Sequence, residues 1–187
     1  MKNSNRLGRF LSYVLRHQPS AAGLTLDRSG YAEMKDLLAG VRAAGHDVTR
    51  EDILRCVAED AKGRFEMCER ALRIRAAQGH SIEVDLGLAA RQPPDILWHG
   101  TVPAAIEGIR DTGIERRKRH HVHLSPDQES ATVVGRRRGR PVLLPVHAGA
   151  MYQAGHVFYL SANGVWLTEH VPVEYVDFRA LVYPDNT

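Results

Sequence analysis

The sequence predicts an α+β protein of two lobes, and three observations carry that prediction. The first half holds three stretches with the apolar spacing of amphipathic helices, followed by two short alternating segments joined by a polar turn. The second half is a series of brief apolar runs separated by turn residues, the pattern of many short strands with a few helices between them. Between the halves, residues 87–94 carry Pro93-Pro94 and read as a linker, so the lobes are expected over 1–86 and 95–187.

Residues 5–17 place Leu7, Phe10, Leu11, Val14 and Leu15 on one helical stripe, with Asn3 or Ser4 as its cap and Pro19 forcing its end. Arg16 and His17 then fall in the last turn, where a helix dipole favours cations, and on position alone they need no further role. Asp27-Arg28-Ser29-Gly30 is a turn, after which Met34, Leu37, Leu38 and Val41 mark a second helix closed by Gly45. Thr49 with Asp52 resembles a capping box, opening a third helix with Ile53, Leu54 and Val57 inside. Lys62-Gly63 ends that pattern. Residues 64–67 and 72–76 alternate as a hairpin, with Phe65 and Met67 facing inward and Leu72, Ile74 and Ala76 opposite Arg73 and Arg75. Three helices and a hairpin, in that order, predict a winged-helix lobe, which binds nucleic acid or protein. Residues 82–86 read as one more strand.

In the second half, Ile96-Leu97-Trp98 predicts a strand ending in His99-Gly100-Thr101, with Thr101 capping a helix that contains Ala105, Ile106 and Ile109 and stops at Gly113. Ser125 with Gln128 reads as a capping box for a short helix reaching about Gly135. Residues 142–144, 157–160 and 165–168 read as strands, the last two joined by Asn163-Gly164, a strong hairpin turn.

Composition narrows the class. The 187 residues, 43% hydrophobic and 25% charged, suit a globular protein. No apolar run reaches bilayer length and the first residues lack a secretory hydrophobic segment, so a cytoplasmic protein is expected, and it is taken to be a monomer, a state on which the sequence itself is silent. Cys56 and Cys68 have neither CxxC spacing nor companions for a zinc site. His121 and His123 form a chelating pair in outline, but arginines beside them repel a cation and no carboxylate or thiol completes the shell; no metal is expected. No GxSxG elbow, Rossmann loop or Walker loop is present.

The net charge of +3 is modest but clustered, in Arg116-Arg117-Lys118-Arg119 and in Arg136-Arg137-Arg138-Gly139-Arg140. Two such runs flanking one short helix suggest a surface for phosphates, although a charge run is most often a solvated loop. The first run feeds into His120-His121-Val122-His123-Leu124-Ser125. If this stretch is a strand, Arg119, His121, His123 and Ser125 share a face that suits an anionic ligand, while Val122 and Leu124 enter the core. His99-Gly100-Thr101 at a strand end offers an imidazole for ribose hydroxyls and glycine backbone for a planar carboxamide, the groups at the nicotinamide end of NAD.

Taken together, Leu11-Ser12-Tyr13-Val14-Leu15-Arg16-His17-Gln18-Pro19, Lys62-Gly63-Arg64-Phe65, Ile74-Arg75-Ala76-Ala77-Gln78-Gly79-His80-Ser81, Trp98-His99-Gly100-Thr101, the Arg119 to Ser125 stretch and Asn163-Gly164-Val165-Trp166-Leu167-Thr168 resemble the NAD-dependent RNA 2′-phosphotransferases, the KptA type of tRNA 2′-phosphotransferase. The motifs occur in family order across nearly the whole chain. The resemblance implies an ADP-ribosyltransferase-like second lobe and NAD as co-substrate. It implies Arg16, His17, Arg64 and Arg119 as catalytic residues drawn from both lobes, and His99, Gly100, Thr101, His123 and Ser125 as the NAD contacts. One departure is Ala77, where the family's stretch is expected to carry Asn.

The implied reaction has two steps. An internal RNA 2′-phosphate attacks C1″ of NAD and expels nicotinamide; the ribose 2″-hydroxyl then attacks that phosphate. The products are 2′-hydroxyl RNA and ADP-ribose 1″,2″-cyclic phosphate. A phosphate monoester needs no general base for the first step, which fits a chain without an obvious catalytic glutamate, although Glu169 lies close to the expected place. The alternatives are an ADP-ribosyltransferase that modifies nucleic-acid phosphates or protein and stops after one step, and a winged-helix binding protein with an inactive transferase lobe.

Overall fold

Leu7, Leu11, Val14 and Leu15 recur at helical spacing, and helix α1, Lys2–Arg16, buries all four. The computed structural model describes residues 2–68, 70 and 72–184. It is a mixed helix and strand structure whose chain divides into two units, Met1–Gly87 and Leu88–Thr187. Asn3 and Ser4 lie inside α1, so neither precedes the helix as the expected cap.

In the first unit, β1 (Ala32–Glu33) leads directly into α2 (Met34–Ala43), and α3 (Arg50–Ala58) follows. The predicted box at the start of α3 is present. Asp52 N–H donates to Thr49 Oγ1, and Thr49 N–H donates to Asp52 Oδ2 at 2.8 Å. Strands β2 (Phe65–Met67) and β3 (Arg73–Ala76) pair antiparallel with Phe65 opposite Ala76, and β1 adds on the far side of β3. The core joins the α1 stripe to Leu37, Val41, Ile53 and Ile74. Leu72 departs from its predicted inward place and is exposed; it precedes β3, and its carbonyl accepts from Met34 N–H. Residues 82–86 form no strand. Their backbone is spent elsewhere: Asp85 N–H donates to Arg28, and Leu86 C=O accepts from Arg75 Nη1.

The second unit begins within the stretch read as a linker. Arg91 N–H donates to Phe158 C=O at 2.8 Å, and Ala90 bridges Tyr159. Strand β4 (Leu97–Thr101) is followed by α4 (Ile106–Thr112), β5 (Ile114–Glu115), β6 (Val122–Leu124) and α5 (Gln128–Gly135). Then come β7 (Val142–Val146), α6 (Ala148–Gln153), β8 (Tyr159–Leu160), β9 (Trp166–Thr168) and β10 (His170–Val171). β4 pairs antiparallel with β7, β9 lies between β6 and β8, and β5 pairs with β10. All of β7 is buried, as its unbroken apolar sequence requires.

Three local features differ from what the sequence leads one to expect. Thr101 is the last residue of β4, 2% exposed, and caps nothing; the following helical turn starts at Pro103. The cap of α5 is Asp127, whose carboxylate accepts from Ser130 N–H, because Ser125 is already engaged with Trp98 in two backbone hydrogen bonds. The strand expected from Arg119 to Ser125 is only Val122–Leu124: Arg119 lies in a turn, its N–H bonded to Arg116 C=O, with Arg117 at φ 54. Val122 and Leu124 are nevertheless buried as the alternation demanded.

Candidate active site

At the C-terminal end of α1 the loop after β3 folds back against Arg16 and His17. Ser81 N–H donates to Arg16 C=O at 2.9 Å, satisfying one of the carbonyls a helix end leaves over. The Ser81 hydroxyl lies 2.9 Å from His17 Nδ1. Arg64 arrives from the turn ahead of β2. Its carbonyl accepts Ala77 N–H at 2.9 Å and Arg16 Nη2 at 3.4 Å. Its guanidinium is fixed by Asp60, through Nε at 2.9 Å and Nη2 at 2.8 Å, and lies 5.5 Å from the Phe65 ring. Residues far apart in sequence, Arg16, His17 and Arg64, are thereby knitted together within the first unit, and they are three of the four predicted catalytic residues.

In the second unit, His99 and Gly100 stand half-buried on β4, with His123 and Ser125 half-buried on the neighbouring β6 edge. His99 Nδ1 is 3.3 Å from His123 C=O. A carbonyl only accepts, so the ring carries its proton on Nδ1 and presents Nε2 as an acceptor. Burial lowers the His99 pKa to about 4; the His123 carbonyl opposes that, and Arg138, Arg117 and Arg119 reinforce it. The imidazole is therefore neutral at physiological pH. Trp98 spends its amide and carbonyl on Ser125, so strand alternation turns those of Gly100 to the same edge, one step beyond that pairing. A Cβ on Gly100 would lie 2.0 Å from Ala131 C=O, so only glycine lets α5 rest on this strand. Thr101, the third residue of the predicted tripeptide, is buried.

Arg119 retains much of its exposure. Partial burial of its guanidinium, then the charges of Arg138 and Arg137, lower its pKa. Charges from both cationic runs thus act on His99, and those of Arg138 and Arg137 act on Arg119. Beyond the β6 and β9 strand ends lies an open groove lined by Arg116, Arg117, His120, His121, Tyr159 and Glu169 among others. His121 and Tyr159 meet edge to face there, with centroids 5.5 Å apart. His121 is lowered in pKa by burial, His120 and Arg116, against the opposing pull of Glu169.

The model of the RNA 2′-phosphotransferase family, Tpt1/KptA, matches residues 2–170. The chain belongs to that family. It is 51% identical over 175 residues to the probable RNA 2′-phosphotransferase of Streptomyces coelicolor, covering 94% of this chain and 95% of that one. The protein of the same description from Burkholderia pseudomallei is 47% identical over 94% of this chain and 95% of its own. That from Rhodopirellula baltica is 50% identical over 91% and 93%.

For an RNA 2′-phosphotransferase chain, the geometry adds two residues that sequence reading passed over. Asp60 and Arg64 are four apart, a spacing that could have suggested the ion pair had the intervening Lys62-Gly63 not marked the end of a helix. Ser81 lay inside a recognised motif, yet nothing in sequence joins it to His17, 64 positions away. Ala77, where Asn was expected, is fully buried and contributes its backbone N–H, a contact that does not depend on the side chain.

Proposed function

We propose that this protein transfers an internal RNA 2′-phosphate to NAD, with an ADP-ribosylated 2′-phospho-RNA as intermediate. The observation that carries this reading is the convergence of Arg16, His17 and Arg64 through Arg64 C=O and Ser81, in a chain of the RNA 2′-phosphotransferase family. In this reading the first unit is a winged-helix RNA-binding lobe, and the second is an ADP-ribosyltransferase-like NAD-binding lobe. His99 Nε2 accepts a ribose hydroxyl, the outward edge of Gly100 pairs the carboxamide, and His123 and Ser125 flank them, while buried Thr101 supports the strand.

In the first step a 2′-phosphate oxygen forms a bond to C1″ and the C1″–nitrogen bond breaks, releasing nicotinamide. Two guanidiniums hold the phosphate, and no proton has to leave it. In the second step O2″ attacks phosphorus and gives up its proton, and the P–O2′ bond breaks, with O2′ taking a proton. His17 is the group suited to carry that proton, since arginine stays protonated; Arg16 and Arg64 neutralise charge on the phosphoryl oxygens, and Arg119 is the proposed catalytic cation of the second unit.

The test is incubation with NAD and an oligonucleotide bearing one internal 2′-phosphate. Nicotinamide release with loss of the phosphate and formation of a cyclic phosphate product is expected. Nicotinamide release with a persistently ADP-ribosylated RNA would point to the one-step transferase, and no release to a binding protein.

A further inference from the structure

We propose that Ser81 is a positioning residue for His17, holding the imidazole by Nδ1 so that proton transfer runs through Nε2. The inference rests on the catalytic reading of His17 given above. Both side chains are exposed, so packing alone does not set the ring's orientation. Two contacts from Ser81 bear on it: its hydroxyl at 2.9 Å from Nδ1, and its N–H on the carbonyl of the adjacent Arg16. The backbone contact anchors the loop to the same helix end that carries the imidazole, so hydroxyl and ring are referenced to one frame.

The choice of a hydroxyl has chemical content. For Nε2 to take up and return a proton Nδ1 must keep its own, so Nδ1–H donates to the Ser81 hydroxyl in both the neutral and the charged ring, and the contact persists through the transfer. A carboxylate in its place would favour the imidazolium and set a negative charge beside an incoming phosphate. The neutral partner orients the ring and leaves both its basicity and the local positive field intact.

The experiment compares wild type, Ser81→Ala, Ser81→Thr and Ser81→Asp, with His17→Ala as reference. Single-turnover reactions with NAD and 2′-phosphorylated oligonucleotide resolve substrate, ADP-ribosylated intermediate and product. Ser81→Ala is expected to slow decay of the intermediate by about tenfold, the scale of one hydrogen bond, while nicotinamide release and KM for NAD stay near wild type. Ser81→Thr restores the decay rate because the hydroxyl remains. On the free protein, an NMR titration of the His17 ring should show a higher midpoint in Ser81→Asp than in wild type. Unchanged decay in Ser81→Ala, a Thr variant as slow as Ala, or an unmoved His17 midpoint in Ser81→Asp each overturns the role of Ser81. A full-rate His17→Ala overturns the reading of His17 itself, and its separate measurement keeps the two failures apart.

Discussion

Asp60 grips Arg64 from two directions. Oδ1 accepts from the guanidinium at 2.9 and 2.8 Å, and Oδ2 accepts from the backbone N–H of the same residue at 2.6 Å. The carboxylate is 4% exposed, and Gly8 on α1 leaves the room: a Cβ there would stand 3.2 Å from Arg64 Nη2. Desolvation raises the Asp60 pKa, but the side-chain and backbone hydrogen bonds and the charge of Arg64 outweigh it, leaving the carboxyl below its ordinary value. Its contribution is complete above the unfolded carboxyl's pKa and is lost as pH falls through the depressed folded value. Asp60→Asn should therefore cost about 2 kcal/mol at pH 7 and flatten the acid limb of stability, read by denaturant melts at pH 7 and pH 3. An equal loss at both values would remove the carboxylate's charge from the explanation.

His17→Ala should let nicotinamide leave at a near-normal rate while ADP-ribosylated RNA accumulates. Labelled RNA resolved on a gel over a single turnover reads this directly. If the variant instead blocks nicotinamide release, His17 binds the phosphate and does not carry a proton.

Because His99 titrates at about 4 in the folded protein against 6.5 unmodified, the unfolded chain binds its proton first. Stability should be full above about 6.5 and decline as pH falls from there toward 4. His121, also lowered, adds a slope of the same sign. His99→Gln should show a shallower decline in thermal midpoint over this window, and calorimetry at pH 7 should show weaker NAD binding. A slope identical to wild type would mean that the buried neutral ring is not the source.

Arg136, Arg137 and Arg138 are exposed on a helical turn after α5. Neutralising all three should reduce the slope of log K for RNA against log salt by about one to two units. An unchanged slope would return them to the status of solvated charges.

Gly100→Ala forces a methyl group toward Ala131 C=O and should destabilise by about 3 kcal/mol, the upper range for overpacking. Calorimetric unfolding measures this. A variant of wild-type stability would show that α5 yields at little cost.

Periodicity made the helices and the hairpins legible because Leu11, Leu15, Phe65 and Ile74 each serve one buried face. It misplaced features decided by competing hydrogen bonds. Thr101 and Ser125 look like caps, but one completes a strand and the other is committed to Trp98. Arg119 sits outside its expected strand because Arg117 turns the chain with a positive φ that nothing in its side chain announces. Arg16, His17 and Arg64 could be singled out by motif, but the atoms that bring them together, a carbonyl and a serine hydroxyl, carry no periodic signal.

The joint in the first unit is made by a main-chain oxygen. Arg64 supplies its carbonyl to Ala77 and to Arg16 whatever side chain it bears, while its guanidinium neutralises the buried Asp60 carboxylate, so position 64 serves the scaffold through main chain and side chain alike. Arg64→Gln should keep the carbonyl contacts but leave the buried Asp60 carboxylate without its cation, and so unfold at lower denaturant than wild type by about 3 kcal/mol at pH 7.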